Sequence, residues 1–132
     1  MIVLDTHALI WWLSPKPSKL SRRASEIIEQ KLLEGEVVAS AISAWEIAML
    51  VTKGKLELSV DVMAWLEAAA EVEGFRFVPV DTVVAVKSQM LPGIFHPDPA
   101  DRMIVALARE YGAPLVTADG KITEYPHVTT IW

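Results

Sequence analysis

Residues 37–52 read VVASAISAWEIAMLVT, and Glu46 carries the only charge in the run. Val37–Ala39 is a short apolar block of the kind that forms a buried strand. The residues after Ser40 are apolar nearly all round, as a helix inside a core is. Ser40, Ser43 and Glu46 fall at i, i+3 and i+6, so on that helix they form one narrow polar stripe. An ionised carboxylate in a dry interior is costly unless something pairs with it. Two arrangements answer this. Ser43 and Glu46 could form a capping box at the helix start. Alternatively Ser40 is the N-cap, which places Glu46 in the second turn, facing a cavity or cleft.

The same strand-then-helix pattern extends both ways along the chain. Ile2–Leu4 reads as a buried strand ending at Asp5, and a helix runs on to about Leu13 before Pro15 and Pro17 break it. Ser21 caps an amphipathic helix to about Leu33, with Gly35 at its end. A further helix runs from about Asp61 to Glu73, with Val62, Leu66, Ala69 and Ala70 on one face. Phe75–Val80 reads as a third strand, and Asp81 caps a helix to about Met90. After the proline-rich loop LPGIFHPDP come a helix over 99–111, a fourth strand at Leu115–Thr117 and a fifth at Val128–Ile131. Strands separated by helices imply a parallel sheet covered on both faces. The expectation is one α/β domain spanning residues 1–132, with a central parallel sheet flanked by helices.

Composition narrows the chemistry. A 132-residue chain with 52% hydrophobic residues can fill one core. No apolar run approaches the ~18 residues of a membrane span, and the opening MIVLD has no basic n-region, so a cytoplasmic protein without a signal peptide is expected. With no cysteine there is neither a disulfide nor a thiolate metal site. The three histidines, His7, His96 and His127, have no zinc-binding spacing. A metal would therefore be held mainly by oxygen, which points to Mg2+ or Mn2+. The net charge of −5 speaks against binding nucleic acid by bulk charge, but not against a nuclease whose acids hold cations.

Four acids fall on one rim of such a sheet. Asp5 ends the first strand, and Glu46 lies early in the helix after the second. Asp101 is in the first turn of the helix leading into the fourth strand, and Asp119 lies just past that strand. Helix starts and strand ends share the carboxyl edge of a parallel sheet, where sites form. Each acid also has a purely local reading. Asp5 could cap the first helix, Asp98 could cap the helix at 99–111 with Asp101 at N3, and Asp119-Gly120 is a common turn pair. Against the local reading of Asp101, it shares a face with the inward Ile104, Val105 and Ala108. Converging carboxylates repel one another, and a divalent cation relieves the repulsion. That is the arrangement needed for metal-assisted phosphodiester hydrolysis.

Four segments, LDTHALIWWL, SAISAWEIAML, HPDPADRMIVALA and LVTADGKI, together resemble PIN-domain proteins, more narrowly VapC-type ribonuclease toxins. The resemblance covers essentially the whole chain in motif order and spacing. It implies a PIN fold and Mg2+- or Mn2+-dependent endoribonuclease activity, with a catalytic and metal-binding quartet of Asp5, Glu46, Asp101 and Asp119. It also implies a homodimer inhibited by a small cognate antitoxin. Under it, Thr6, Asp98 and Thr117 are candidates to support the ligands, and Arg102, Lys53 and Lys55 to hold RNA phosphates. Trp11, Trp12, Trp45 and Trp65 read as core or dimer packing, with base stacking as the alternative. His96 reads as a loop residue that could lie beside the site.

Rival readings fit less well. Haloacid-dehalogenase chemistry needs a second Asp two residues after the first, where this chain has His7. A receiver domain would put its phospho-acceptor after a middle strand. A non-catalytic PIN-like RNA- or protein-binding module is the remaining alternative, and such modules commonly lose acids that this chain keeps.

Overall fold

The computed structural model of the chain describes all 132 residues. In chain order the elements are β1 (Ile2–Leu4), α1 (Thr6–Leu13), α2 (Arg22–Leu33), β2 (Val37–Ser40), α3 (Ala41–Thr52), α4 (Val62–Ala70), β3 (Phe75–Val78), α5 (Thr82–Gln89), α6 (Pro99–Tyr111), β4 (Leu115–Val116), α7 (Gly120–Thr123) and β5 (Thr130–Ile131). The strands form one parallel sheet in the order β3-β2-β1-β4-β5. The expected α/β architecture, a central parallel sheet flanked by helices, is the one observed.

Side-chain alternation along the strands explains the two-sided core. Ile2, Leu4, Val37, Ala39 and Val116 point to one face, where they pack with Leu9, Ile28, Ile47 and Ala69 from α1 to α4. Val3, Val38 and Leu115 point to the other, against Val84 of α5, Ile104, Val105, Leu107 and Ala108 of α6, and Ile122 of α7. A strand buried on both faces has to be apolar throughout, and these are. The largest hydrophobic contribution falls to α6. Asp98 caps it, Pro99 starts it, and its inward face runs through Ile104 and Ala108.

Several boundaries differ from the sequence reading for local reasons. Ser40 is the N-cap of α3, its Oγ accepting the Ile42 N–H at 3.1 Å, so the Ser43–Glu46 capping box does not form. β3 stops at Val78 because Pro79 has no N–H for the ladder. α4 ends at Ala70 rather than Glu73, and β4 and β5 are each two residues long. The short helix α7 was not expected; four residues are too few to show periodicity. Asp81 caps α5, as read, accepting the Val84 N–H at 2.9 Å.

The turn into β3 depends on one glycine. Gly74 has φ 91°, and a Cβ there would collide with the backbone carbonyl of Leu32 at the end of α2. Gly35 also has positive φ, at 69°, but a Cβ there meets open space. Gly74→Ala should therefore cost about 2–3 kcal/mol, a fall of roughly 5–11 °C in Tm, whereas Gly35→Ala should cost about 1 kcal/mol. Equal losses in thermal melting would show that the close approach of α2 to this turn is not what constrains it.

Candidate active site

The strand order reverses at β1, with β2 and β3 on one side of it and β4 and β5 on the other. In open α/β sheets a crevice forms outside the carboxyl ends of the strands at such a point. Here it is a cleft of about 500 Å³ lined by Asp5, His7, Trp11, Glu46, His96, Asp98, Asp101, Ala118, Asp119 and Lys121. All four acids placed on this rim from the sequence line it, and Asp98 joins them. They arrive from four separate segments: the end of β1, the second turn of α3, the start of α6, and the turn after β4.

The local and the cleft roles of these acids coexist. Asp5 Oδ1 accepts the Thr6 N–H at 2.8 Å as the cap of α1, while its Oδ2 accepts the Thr117 hydroxyl at 2.7 Å. Asp98 accepts the Asp101 N–H at 2.9 Å, and Asp119 accepts the Lys121 N–H at 2.9 Å. Glu46 has no capping duty. Its Oε1 accepts the Thr6 hydroxyl at 2.5 Å, and that hydroxyl lies 2.9 Å from the buried Ser43 Oγ. Thr117 Oγ1 also accepts the Asp119 N–H at 3.1 Å. Two buried threonines, Thr6 and Thr117, thus tie three of the acids to the sheet edge.

Burial and mutual repulsion set the electrostatics. Burial pushes the Asp5 carboxyl above its ordinary range, against the hydrogen bonds from Thr117 and Thr6. Glu46 is raised by burial first and by its neighbours Asp5 and Asp98, opposed by the Thr6 hydrogen bond. Asp101 is pushed up to about 8, by burial first and then by Asp5, Asp98, Asp119 and Glu46. Its Oδ2 lies 3.0 Å from His96 Nε2, yet without hydrogen-bond geometry, and that buried nitrogen has no partner. Against five carboxylates the lining offers only one lysine, Lys121, and two histidines, His7 and His96. By donor chemistry, hard carboxylate oxygens suit Mg2+ or Mn2+. The side chains as they stand form no ready-made cage, since no three acidic or histidine groups are gathered tightly enough to hold an ion.

The basic residues fall elsewhere than expected. Arg102 does not face the cleft. Its Nε donates to the Ser88 carbonyl at 2.8 Å, and its Nη1 to the carbonyls of Phe95 and His96 at 2.9 and 3.2 Å. It clamps the proline loop and thereby sets the place of His96, which lies in the cleft beside Asp101. Lys53 and Lys55 are exposed beyond the far end of α3, roughly 10 Å along the helix axis from Glu46. Lys121 and His7 line the cleft without a site role in the sequence reading, and Trp11, read there as packing with base stacking as the alternative, lines it too. His7 and Trp11 stand at i and i+4 on α1 just after Asp5, a spacing that could have found them.

Because Asp101 is raised in the folded chain, the fold holds a proton that the unfolded chain, with a carboxyl near 3.8, releases. That contribution is full below pH 3.8, declines as pH rises, and is gone above about 8. In EDTA, Asp101→Asn should match the wild type near pH 4 and melt higher at pH 8.5, by about 3–8 °C for roughly 1–2 kcal/mol. Melting at or below the wild type across the whole range would mean that the carboxylate gains more from its surroundings than it loses to repulsion.

Comparison with known proteins agrees with this geometry. The family model described as PIN domain matches residues 2–128. Ribonuclease VapC22 of Mycobacterium tuberculosis is 38% identical over 133 aligned residues, covering 99% of this chain and 98% of that protein. Among solved structures, FitAcB from Neisseria gonorrhoeae superposes with a TM-score of 0.69 at 24% identity, over 100% of this chain and 97% of that one. VapBC2 from Rickettsia felis, bound to a DNA fragment from its promoter, does so with a TM-score of 0.73 at 17% identity, over 99% and 98%. The structural likenesses speak for the fold, and the sequence matches for the lineage: the chain belongs to the PIN-domain family, in its VapC branch.

Proposed function

We propose that this chain is a divalent-cation-dependent endoribonuclease, the toxin of a type II toxin–antitoxin pair, which hydrolyses RNA phosphodiester bonds in the carboxylate cleft. The observation that carries the proposal is the convergence of Asp5, Glu46, Asp98, Asp101 and Asp119 from four segments onto one crevice. The 38% identity to a VapC ribonuclease along nearly the whole chain supports the same reading.

Asp5, Glu46, Asp101 and Asp119 would hold Mg2+ or Mn2+, with Asp98 beside them. At such a site a divalent cation supplies Lewis acidity and neutralises charge developing on the phosphate. The chain's own groups do the rest. Thr117 and Thr6 fix the orientations of Asp5 and Glu46. Glu46 and Asp119 would orient the attacking water, and one of these carboxylates would accept its proton as the water oxygen bonds to phosphorus; the bond to the leaving ribose oxygen breaks, and solvent water protonates that oxygen. Lys121, exposed at the rim, is placed to meet a phosphate.

The same reading supplies the partners. Several solved neighbours are toxin–antitoxin complexes, which supports a small cognate antitoxin for this chain. Trp45, on α3, is 57% exposed, and Met63, on α4, is 62% exposed. Val83 and Val86 on α5 and Met90 at its end are also exposed. Apolar groups left in water on several helices suit protein partners, here the antitoxin and a second copy of the chain. No helix is long and apolar enough to cross a membrane, and the proposed place of action is the cytoplasm, where the RNA is.

Cleavage of single-stranded RNA should require Mg2+ or Mn2+ and stop in EDTA. Asp5→Asn, Glu46→Gln and Asp101→Asn should each lower the rate at least ~100-fold. Thr6→Val and Thr117→Val should lower it about 10–100-fold, whereas Asp81→Asn, which alters a cap outside the cleft, should leave it unchanged. Mn2+ at ~10 times its dissociation constant should stabilise the wild type by about 1.4 kcal/mol, roughly 3–5 °C, and do so much less in Asp101→Asn. A folded wild type that neither binds these cations nor cuts RNA would overturn the proposal.

A further inference from the structure

Trp11 lines the acidic cleft, but the proposed hydrolysis gives it nothing to do. The other tryptophans are placed differently. Trp12 packs on Phe75 with ring centroids 5.5 Å apart, Trp65 sits at the edge of the core under α1 to α4, Trp45 is exposed on α3, and Trp132 closes the chain end. None of these four lines the cleft. Trp11 is partly buried at the edge of the same core as Trp12, Trp65 and Trp132, but it also borders the cleft, and none of its ring neighbours lies parallel to it. His7 is tilted by 50° at 5.6 Å, and Trp132 meets the indole edge-on, 61° at 5.7 Å. The ammonium of the exposed Lys19 stands over the ring, 5.9 Å from its centroid, at the outer reach of a cation–π contact.

We propose that Trp11, flanked by His7, is a stacking platform for an unpaired nucleobase of the RNA, on a nucleotide adjoining the scissile phosphate; this rests on the ribonuclease reading above. Three features carry it. The cleft's ≈ 500 Å³ falls within the ~300–1,000 Å³ of small-ligand sites, so there is room for more than a phosphate and its cation. The rest of the lining is strongly acidic and, without a cation, repels phosphate. A neutral planar base suffers no such repulsion, and an indole face is the surface that attracts it. Finally, an aromatic ring beside a cation is the combination by which proteins hold single-stranded nucleic acid, and Lys19, displaced from the ring by the base, would meet the neighbouring phosphate. Stacking of this kind tolerates different bases, so the platform would confer a demand for an unpaired nucleotide more than for a particular letter.

The test is a cycle of substitutions in protein and RNA. On an oligonucleotide whose cleavage site has been mapped with the wild type, one abasic ribose is placed in turn at each position flanking the cut. Each RNA is then cleaved by wild type, Trp11→Phe and Trp11→Ala, with thermal melting to confirm folding. At one position the missing base should lower wild-type kcat/KM about 5- to 150-fold, chiefly through KM, as expected for one lost stack. Trp11→Ala should lose a similar factor on intact RNA and almost nothing further on that abasic RNA. Trp11→Phe should fall between, and it carries the same cycle if the alanine variant does not fold. Losses that simply multiply at every position, or no loss in Trp11→Ala, would overturn the platform while leaving the ribonuclease reading intact. A wild type that cuts no RNA would remove that reading, and this inference with it.

Discussion

Crowding of like charge at one edge of the sheet is the constraint on which the rest of this molecule turns. Five carboxylates share a cleft whose single lysine is exposed at the rim. Such a cluster opposes folding, and the structure tolerates it through three devices. Hydrogen bonds from Thr6 and Thr117 fix individual oxygens. The N-termini of α1, α6 and α7 end at the same edge, where their partial positive charge favours acids. And the sheet beneath carries an apolar core on each face, whose burial offsets the cost.

That arrangement explains why the fold and the site cannot be separated. A parallel sheet places every strand end and every following helix start along one edge. Because the strand order reverses at β1, the loops after β1 and β4 part there, and the cleft opens between them. Asp5 and Asp119 are joined through Thr117, α3 brings Glu46, and α6 brings Asp98 and Asp101. The proline loop before α6 completes the wall. Arg102 holds it by two backbone carbonyls, and Tyr125 holds it by donating its hydroxyl to the Pro92 carbonyl at 2.5 Å.

Much of this was legible in the sequence because the signals were local. Apolar blocks ending in Asp5 or Ser40 marked strand ends, and caps such as Ser21, Asp81 and Asp98 marked helix starts. Glu46 was legible for the opposite reason, as a charge that its surroundings could not accommodate. The sequence was less informative where an outcome depended on tertiary contact. Arg102 looked free to meet a phosphate, and only the folded loop shows three carbonyls waiting for its guanidinium. Trp11 and Trp12 are adjacent and alike in sequence, but a helix turns successive residues through about 100°, so one faces the cleft and the other Phe75. Lys121 depended on α7, a helix too short to be read.

The central claim is that these carboxylates together form a cation site, and the most direct test is paramagnetic broadening of backbone NMR signals by trace Mn2+. Amide signals around Asp5, Glu46, Asp101 and Asp119 should be lost before any others and recover on adding EDTA. Broadening spread evenly over surface acids such as Glu29, Glu71 and Glu73, with the cleft signals no more affected than the rest, would contradict it.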